Sequence, residues 1–190
     1  TVLLTLLLNP RGQNFNPNDQ IRQLAGKKDN VGISAGYSIK GEIKWVNSAG
    51  YLCAESDVPF ASNTLTRIAS IAKSFTSVAI MQLVEREQIG LNTAIENYLK
   101  NLPEDKKRIT VKQLLAHTSG ISQYQGEKEI ENDIHYGDLE AAMSVFIQRP
   151  LLFAPGTKYY YSTYGYVMLG RIIEEVSGIS YQEYMQKKHF

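Results

Sequence analysis

The run Thr66-Arg67-Ile68-Ala69-Ser70-Ile71-Ala72-Lys73-Ser74-Phe75-Thr76 reads as the entry to a helix, with a serine in its first turn and a lysine three residues on. Residues three apart share a helix face, so Lys73 can stand beside the Ser70 hydroxyl. A serine is a poor nucleophile at neutral pH unless an adjacent base or cation activates it. The N-terminal end of a helix adds N–H groups and partial positive charge, which suit a developing oxyanion. A Ser-x-x-Lys pair alone also fits a solvated helix start with a capping serine, and it arises by chance about once in a chain of this size. Two features favour chemistry. No other Ser or Thr has a lysine three residues later. The residues that follow are apolar over a wide arc (Ile71, Ala72, Phe75, Val78, Ala79, Leu83), which predicts a buried helix. A lysine at the start of a buried helix needs a partner.

The 190 residues suffice for one domain with a sizeable core. A formal net charge of +1 with scattered Lys and Arg speaks against a nucleic-acid or polybasic membrane surface. The single Cys53 excludes an internal disulfide and a multi-thiolate metal site. His117, His135 and His189 lack ligand spacing, so no metal is implied.

Outward from that run, Thr1–Leu8 is an apolar stretch too short to span a bilayer, so no integral membrane segment is implied. It is similar to the apolar region of a secretory leader, which predicts a leader remnant and linker over 1–20 and an extracytoplasmic (periplasmic or secreted) address. Val31–Ile39 alternates, with Val31, Ile33, Ala35, Tyr37 and Ile39 on one side. With Ile43–Leu52 it predicts a hairpin. Gly32-Ile33-Ser34-Ala35-Gly36 matches a G-x-S-x-G nucleophile elbow, but alternation running straight through Ser34 favours a strand.

After the opening helix, expected to stop near Gly90, Asn92 or Thr93 can cap a short helix. Glu104–Arg108 reads as a solvated loop, and Thr110 caps a helix over 111–117. His117 is expected to hydrogen-bond at a helix end or to order the next loop. Ile121–Gly137 reads as a long surface loop, a candidate site rim. Asp138 caps a helix through Gln148, and further helices are expected over 164–176 and from Tyr181 onward.

Taken in order, these pieces resemble the serine β-lactamase-like hydrolases of the class C type, which include β-lactamases, D-Ala-D-Ala peptidases and related esterases. The resemblance is carried by Ser70-Ile71-Ala72-Lys73, by Leu114-Leu115-Ala116-His117-Thr118-Ser119-Gly120-Ile121, and by Phe153-x-Pro155-Gly156-Thr157-x-x-x-Tyr161-Ser162-Thr163-x-Gly165-Tyr166. It implies an α+β, β-lactamase/transpeptidase-like fold. It also implies an acyl-enzyme on Ser70, with Lys73 sharing in proton transfer and Tyr161 as the second acid–base group. Small-molecule or peptide substrates are implied (β-lactams, D-alanyl peptides or small esters), and no cofactor.

Two departures qualify it. Thr163 stands where the family has Asn, keeping a hydroxyl that can reach Lys73 but losing a carboxamide that can reach a substrate amide. The family's late Lys-Thr-Gly or His-x-Gly strand has no counterpart before Phe190. The expectation is therefore a helical region with an incomplete antiparallel sheet, the N-terminal hairpin only. Residues 21–190 would be the N-terminal part of a single hydrolase domain, weakened in activity. The competing expectation is a non-catalytic binding or scaffold protein on the same fold.

Overall fold

The computed structural model describes residues 16–25, 31–130 and 134–187. The described residues up to Arg67 form one compact unit, and those from Ile68 onward form another. The leader expected over Thr1–Leu8, and His189, lie outside the described residues.

In the first unit β1 (Gly32–Ile39) and β2 (Glu42–Gly50) pair antiparallel, with Ile33 opposite Ala49, Ala35 opposite Asn47 and Tyr37 opposite Trp45. Lys40 and Gly41 both take left-handed φ, 52° and 82°, the tight turn whose twist suits a two-residue hairpin. Ser34 sits mid-strand, with its hydroxyl 3.1 Å from that of Ser48. No strand-to-helix turn exists there, so the elbow reading of Ser34 has no geometric basis.

Residues 17–20, expected to be linker, instead begin a helix, α1 (Pro17–Ala25). Its signal was present: Asn16 accepts from the Asn18 N–H at 3.0 Å, and proline occupies the first helical position. Asn18 Oδ1 accepts from Trp45 Nε1 (2.9 Å) and Asn47 Nδ2 (2.7 Å), pinning α1 to β2. Neither strand has a fully buried residue, and Tyr37 and Ile39 stay exposed. The clean alternation thus marks a face only partly covered among the described residues.

The second unit is helical. A 3₁₀ turn (Ala69–Ile71) leads into α2 (Ala72–Glu85), followed by α3 (Val111–Leu115), α4 (Glu127–Ile130), α5 (Leu139–Ser144), α6 (Thr163–Ser177) and α7 (Tyr181–Lys187). The core joins Ala79, Ile80 and Leu83 of α2 to Leu114, Met143, Phe146, Tyr184 and the α6 row Met168, Leu169, Ile172, Ile173. The expectation that α2 buries its whole apolar arc is corrected. Ile71, Phe75 and Val78, at i, i+4 and i+7, stay 51%, 41% and 47% exposed. A helix has two apolar faces here, and the α6 side takes only one.

α2 ends at Glu85, not near Gly90. Glu87 adopts φ 59°, and the bonds Glu87 N–H to Val84 O (2.9 Å) and Gln88 N–H to Leu83 O (2.9 Å) close a Schellman ending without glycine. The short helix after Thr93 is a 3₁₀ turn (Ile95–Asn97) with no side-chain cap. Lys106, in the run expected to be solvated, is buried at 2% exposure. Its Nζ donates to the Asp105 carboxylate (3.0 Å) and to the Arg149 carbonyl (2.7 Å). The long stem fills core space while every ammonium direction finds oxygen.

Candidate active site

Ser70 lies in the 3₁₀ turn that leads directly into α2, and Lys73 is the second residue of α2. Lys73 Nζ donates to Ser70 Oγ at 3.1 Å. The turn is entered through Ala69 at φ 47°, a left-handed conformation that costs an alanine on the order of 1 kcal/mol. Strain of this kind collects at functional positions.

Tyr161 reaches the same serine from ninety-one residues away, its Oη 2.7 Å from Ser70 Oγ. Its placement starts at α3. Thr110 and Gln113 form a reciprocal capping box, and the helix is short. The chain then reverses through His117 at φ 56° and Gly120 at φ 81°. This turn hydrogen-bonds the later motif rung by rung. The Gly120, Thr118 and His117 carbonyls accept from the N–H groups of Leu152 (2.8 Å), Gly156 (2.8 Å) and Tyr160 (2.9 Å). A Cβ on Gly120 would meet the Phe153 carbonyl oxygen at 2.4 Å, so the approach needs glycine.

His117 then does more than end a helix. Its Nδ1 accepts from the Ser162 N–H at 3.2 Å, and its ring lies against the Tyr161 ring with centroids 4.5 Å apart. Ser162 caps α6, its hydroxyl accepting from Gly165 N–H (3.2 Å) and donating to the Ser122 carbonyl (2.8 Å). Thr163 opens α6 and is bound at both its N–H and its hydroxyl by the Gln123 carboxamide, at 2.9 and 3.1 Å.

The expected surface loop 121–137 is thus partly interior. Ile121 and Ser122 are buried, and α4 breaks the loop. Glu129 of α4 anchors it: Arg149 donates to both carboxylate oxygens (2.6 and 3.2 Å), Tyr164 Oη donates at 2.7 Å, and the Gln125 N–H at 2.9 Å. These donors hold the Glu129 carboxyl down to about 2.

Burial of the Tyr161 hydroxyl opposes its ionisation. It is outweighed by hydrogen bonding with Lys73 and Ser70, by the Lys73 charge, and by a hydrogen bond with Thr163, so the phenol ionises below its ordinary range. The Lys73 ammonium also lies 5.0 Å from the Tyr161 ring centroid and 5.8 Å from that of Tyr166. Burial, then the same ammonium, pushes His117 below the usual histidine range. Its ring is therefore neutral near pH 7, as an Nδ1 acceptor must be. A cavity of about 220 Å³ opens beside Lys73 and Thr163, lined also by Ala72, Val167 and Tyr181.

Of the site residues expected from the resemblance, Ser70, Lys73 and Tyr161 meet at the serine hydroxyl, and Thr163 lines the cavity beside Lys73 with its hydroxyl bound by Gln123. One contributor was missed: Gln123 had no local signal, since its partner is forty residues away. His117, expected to hydrogen-bond at a helix end or to order the next loop, does so through the Ser162 N–H, and its packing against the Tyr161 ring follows from the turn geometry.

The second unit thus sets a serine hydroxyl against an ammonium and a phenol at a helix entry. The chain belongs to the beta-lactamase family, whose pattern matches residues 18–190. It is 29% identical to the human mitochondrial serine beta-lactamase-like protein LACTB, over 84% of this chain and 42% of that protein. It is 30% identical to the teichoic acid D-alanine hydrolase of Staphylococcus aureus, over 75% of this chain and 34% of that protein. The octameric penicillin-binding protein homologue from Pyrococcus abyssi superposes with a TM-score of 0.76 at 32% identity, covering 90% of this chain and 41% of that one. The fold is thus β-lactamase/transpeptidase-like, with helices and, among the described residues, a single two-stranded antiparallel sheet. The chain spans about two fifths or less of the length of these curated relatives. Among the described residues, no helix is long and apolar enough to cross a membrane.

Proposed function

We propose that this chain carries the nucleophile and proton-transfer groups of an SxxK serine acyl hydrolase of the class C type. One observation carries the reading: Lys73 Nζ and Tyr161 Oη both lie within hydrogen-bond distance of Ser70 Oγ, at 3.1 and 2.7 Å. In acylation Tyr161 reacts from its phenolate form and takes the Ser70 proton. Ser70 Oγ bonds to the substrate carbonyl carbon, the bond to the leaving group breaks, and Tyr161 returns the proton to the leaving group. In deacylation Tyr161 takes a proton from water, the hydroxide attacks the acyl carbon, the Oγ–acyl bond breaks, and the proton returns to Ser70. The ammonium of Lys73 stabilises the phenolate in both steps. The positive end of α2 favours the oxyanion.

Candidate substrates are β-lactams, D-alanyl peptides and small esters. The D-alanine hydrolase among the relatives supports the D-alanyl class. The apolar run Thr1–Leu8 supports an extracytoplasmic address. The test uses the protein at its natural length. Wild type and Ser70→Ala are incubated with a fluorescent penicillin and with an activated ester, and the adduct is read by intact mass. The reading requires an acyl adduct on wild type and none on the variant. Equal, background labelling of both with every probe overturns it and leaves the non-catalytic scaffold reading in its place.

A further inference from the structure

The peptide N–H groups on either side of Tyr161 are both taken by one residue. The Tyr160 N–H donates to the His117 carbonyl at 2.9 Å, and the Ser162 N–H donates to His117 Nδ1 at 3.2 Å. Between those two bonds the Tyr161 ring lies against the imidazole, with centroids 4.5 Å apart and planes 34° from parallel. Carbonyl and ring of a single residue reach the same segment because His117 stands at φ 56°, a conformation that histidine adopts more readily than most. Tyr166 packs on the same imidazole, 5.1 Å away, which ties the ring to α6 as well.

A peptide N–H can only donate, so the ring atom that faces Ser162 must be a bare nitrogen with a lone pair. One protonation state meets that requirement: the ring proton on Nε2 and none on Nδ1. A second proton, on Nδ1, would set a donor against a donor. We propose that His117 is the positioning residue for Tyr161 and holds it only as the neutral ring: a proton taken up at Nδ1 ends the bond from Ser162, loosens the peptide that carries Tyr161, and shuts acylation down in acid. The inference rests on Tyr161 being the acid–base group of the proposed function. The distance at stake is the 2.7 Å between Tyr161 Oη and Ser70 Oγ. A displacement of about 1 Å in a reacting group costs roughly 10²-fold.

The titratable groups around His117 come from three elements. Tyr159 (ring centroids 6.0 Å apart) and Tyr161 belong to the segment before α6, and Tyr166 belongs to α6. Lys73 comes from α2, its ammonium 5.0 and 5.8 Å from the centroids of the Tyr161 and Tyr166 rings that pack on the imidazole. An imidazolium is opposed by that ammonium. Burial, then the Lys73 charge, hold the His117 transition below the ordinary 6.5, so the holding state is the one present at neutral pH.

The experiment compares wild type with His117→Asn, both at natural length. The asparagine Oδ1 stands as many bonds from Cα as Nδ1 does. It accepts the Ser162 N–H, suits a left-handed residue and takes up no proton. Acylation by the activated ester is followed by stopped flow from mildly basic to acid pH, over the range in which circular dichroism shows both proteins folded. At the basic end the variant should be about three- to tenfold slower, for want of the ring contact. As pH falls, the Tyr161 phenolate becomes about tenfold scarcer per unit in both proteins. Wild type should lose up to about 10²-fold more across the pH at which His117 titrates, so that the variant becomes the faster of the two.

The same transition is read without substrate in ¹⁵N-labelled protein. The His117 Nδ1 shift and the Ser162 amide proton should move through one midpoint in wild type, and the Ser162 amide of His117→Asn should stay in place. Parallel rate profiles for the two proteins overturn the proposal. So does a Ser162 amide that holds its position while His117 titrates, a result that needs wild type alone and decides the matter if His117→Asn does not fold. A protein whose Ser162 amide follows His117, yet which no probe acylates, refutes the proposed function and leaves the hold on the Tyr161 segment standing.

Discussion

Ser70 and Tyr161 arrive at the same point by opposite means. Ser70 and Lys73 are set by one 3₁₀ turn and the first residues of α2, with the strain of Ala69 as their only special requirement. Tyr161 is set by chain far from it in sequence: the His117–Gly120 turn, the rungs to Leu152, Gly156 and Tyr160, and the clasp of Gln123 on Thr163. The local half of the site survives distant changes. The long-range half is only as accurate as each rung, and a shift of about 1 Å in a reacting group can cost 10²-fold in rate.

The largest effects test the two halves directly. Lys73→Met and Tyr161→Phe should each slow acylation of Ser70 by about 10²- to 10⁴-fold, the range of general acid–base help. Stopped-flow labelling with the activated ester measures both, and a Tyr161→Phe protein within tenfold of wild type would remove the phenol from the mechanism. Next come the backbone positions. Gly120→Ala forces a methyl group against the Phe153 oxygen at a left-handed residue, and should lower stability by about 2–3 kcal/mol in urea unfolding. Acylation should fall with it, because the rungs shift. Ala69→Gly should do the reverse for stability, adding about 0.5–1 kcal/mol by relieving the strained φ of the local half.

The pH dependences are smaller. His117 titrates below its ordinary value of 6.5 in the fold, so the unfolded chain binds the extra proton first. Its contribution is complete above about pH 6.5 and is lost as pH falls through the folded value. The urea midpoint should therefore drop on going from pH 7.5 toward 5, less so in His117→Gln; parallel profiles for the two proteins would refute this. Glu129 behaves alike further into acid. Its contribution is full above its usual 4.5 and is lost as pH falls toward about 2. Glu129→Gln should be less stable at pH 7 and flatter over that interval, read by thermal unfolding.

The same local and long-range division separates what the sequence made legible from what it did not. Ser70–Lys73 spacing and the Thr110 and Asp138 caps are short-range patterns with one physical solution each. Tyr161 and Thr163 were reached only through the resemblance of their segment, since nothing local distinguishes them in a tyrosine-rich run. Gln123 was invisible because a glutamine in a polar loop has no period to break. The α2 face was misjudged for a related reason. Hydropathy shows that Ile71, Phe75 and Val78 are apolar, but not which elements stand opposite them. The end of α2 was misplaced because Gly90 looked like a better left-handed residue than Glu87, while the Schellman bonds from Glu87 and Gln88 back to Val84 and Leu83 settle the matter.

Lys106 gives the second unit a built-in reporter. Its amine is sealed between Asp105 and the Arg149 carbonyl, on the residue whose guanidinium grips Glu129. An amine-directed acylating reagent will tag outward-facing lysines in minutes but reach this one only in molecules whose corner has come apart. The lag in tagging of that single peptide, followed by mass spectrometry, would count how often the brace beneath Gln123 lets go while the rest of the chain stays folded.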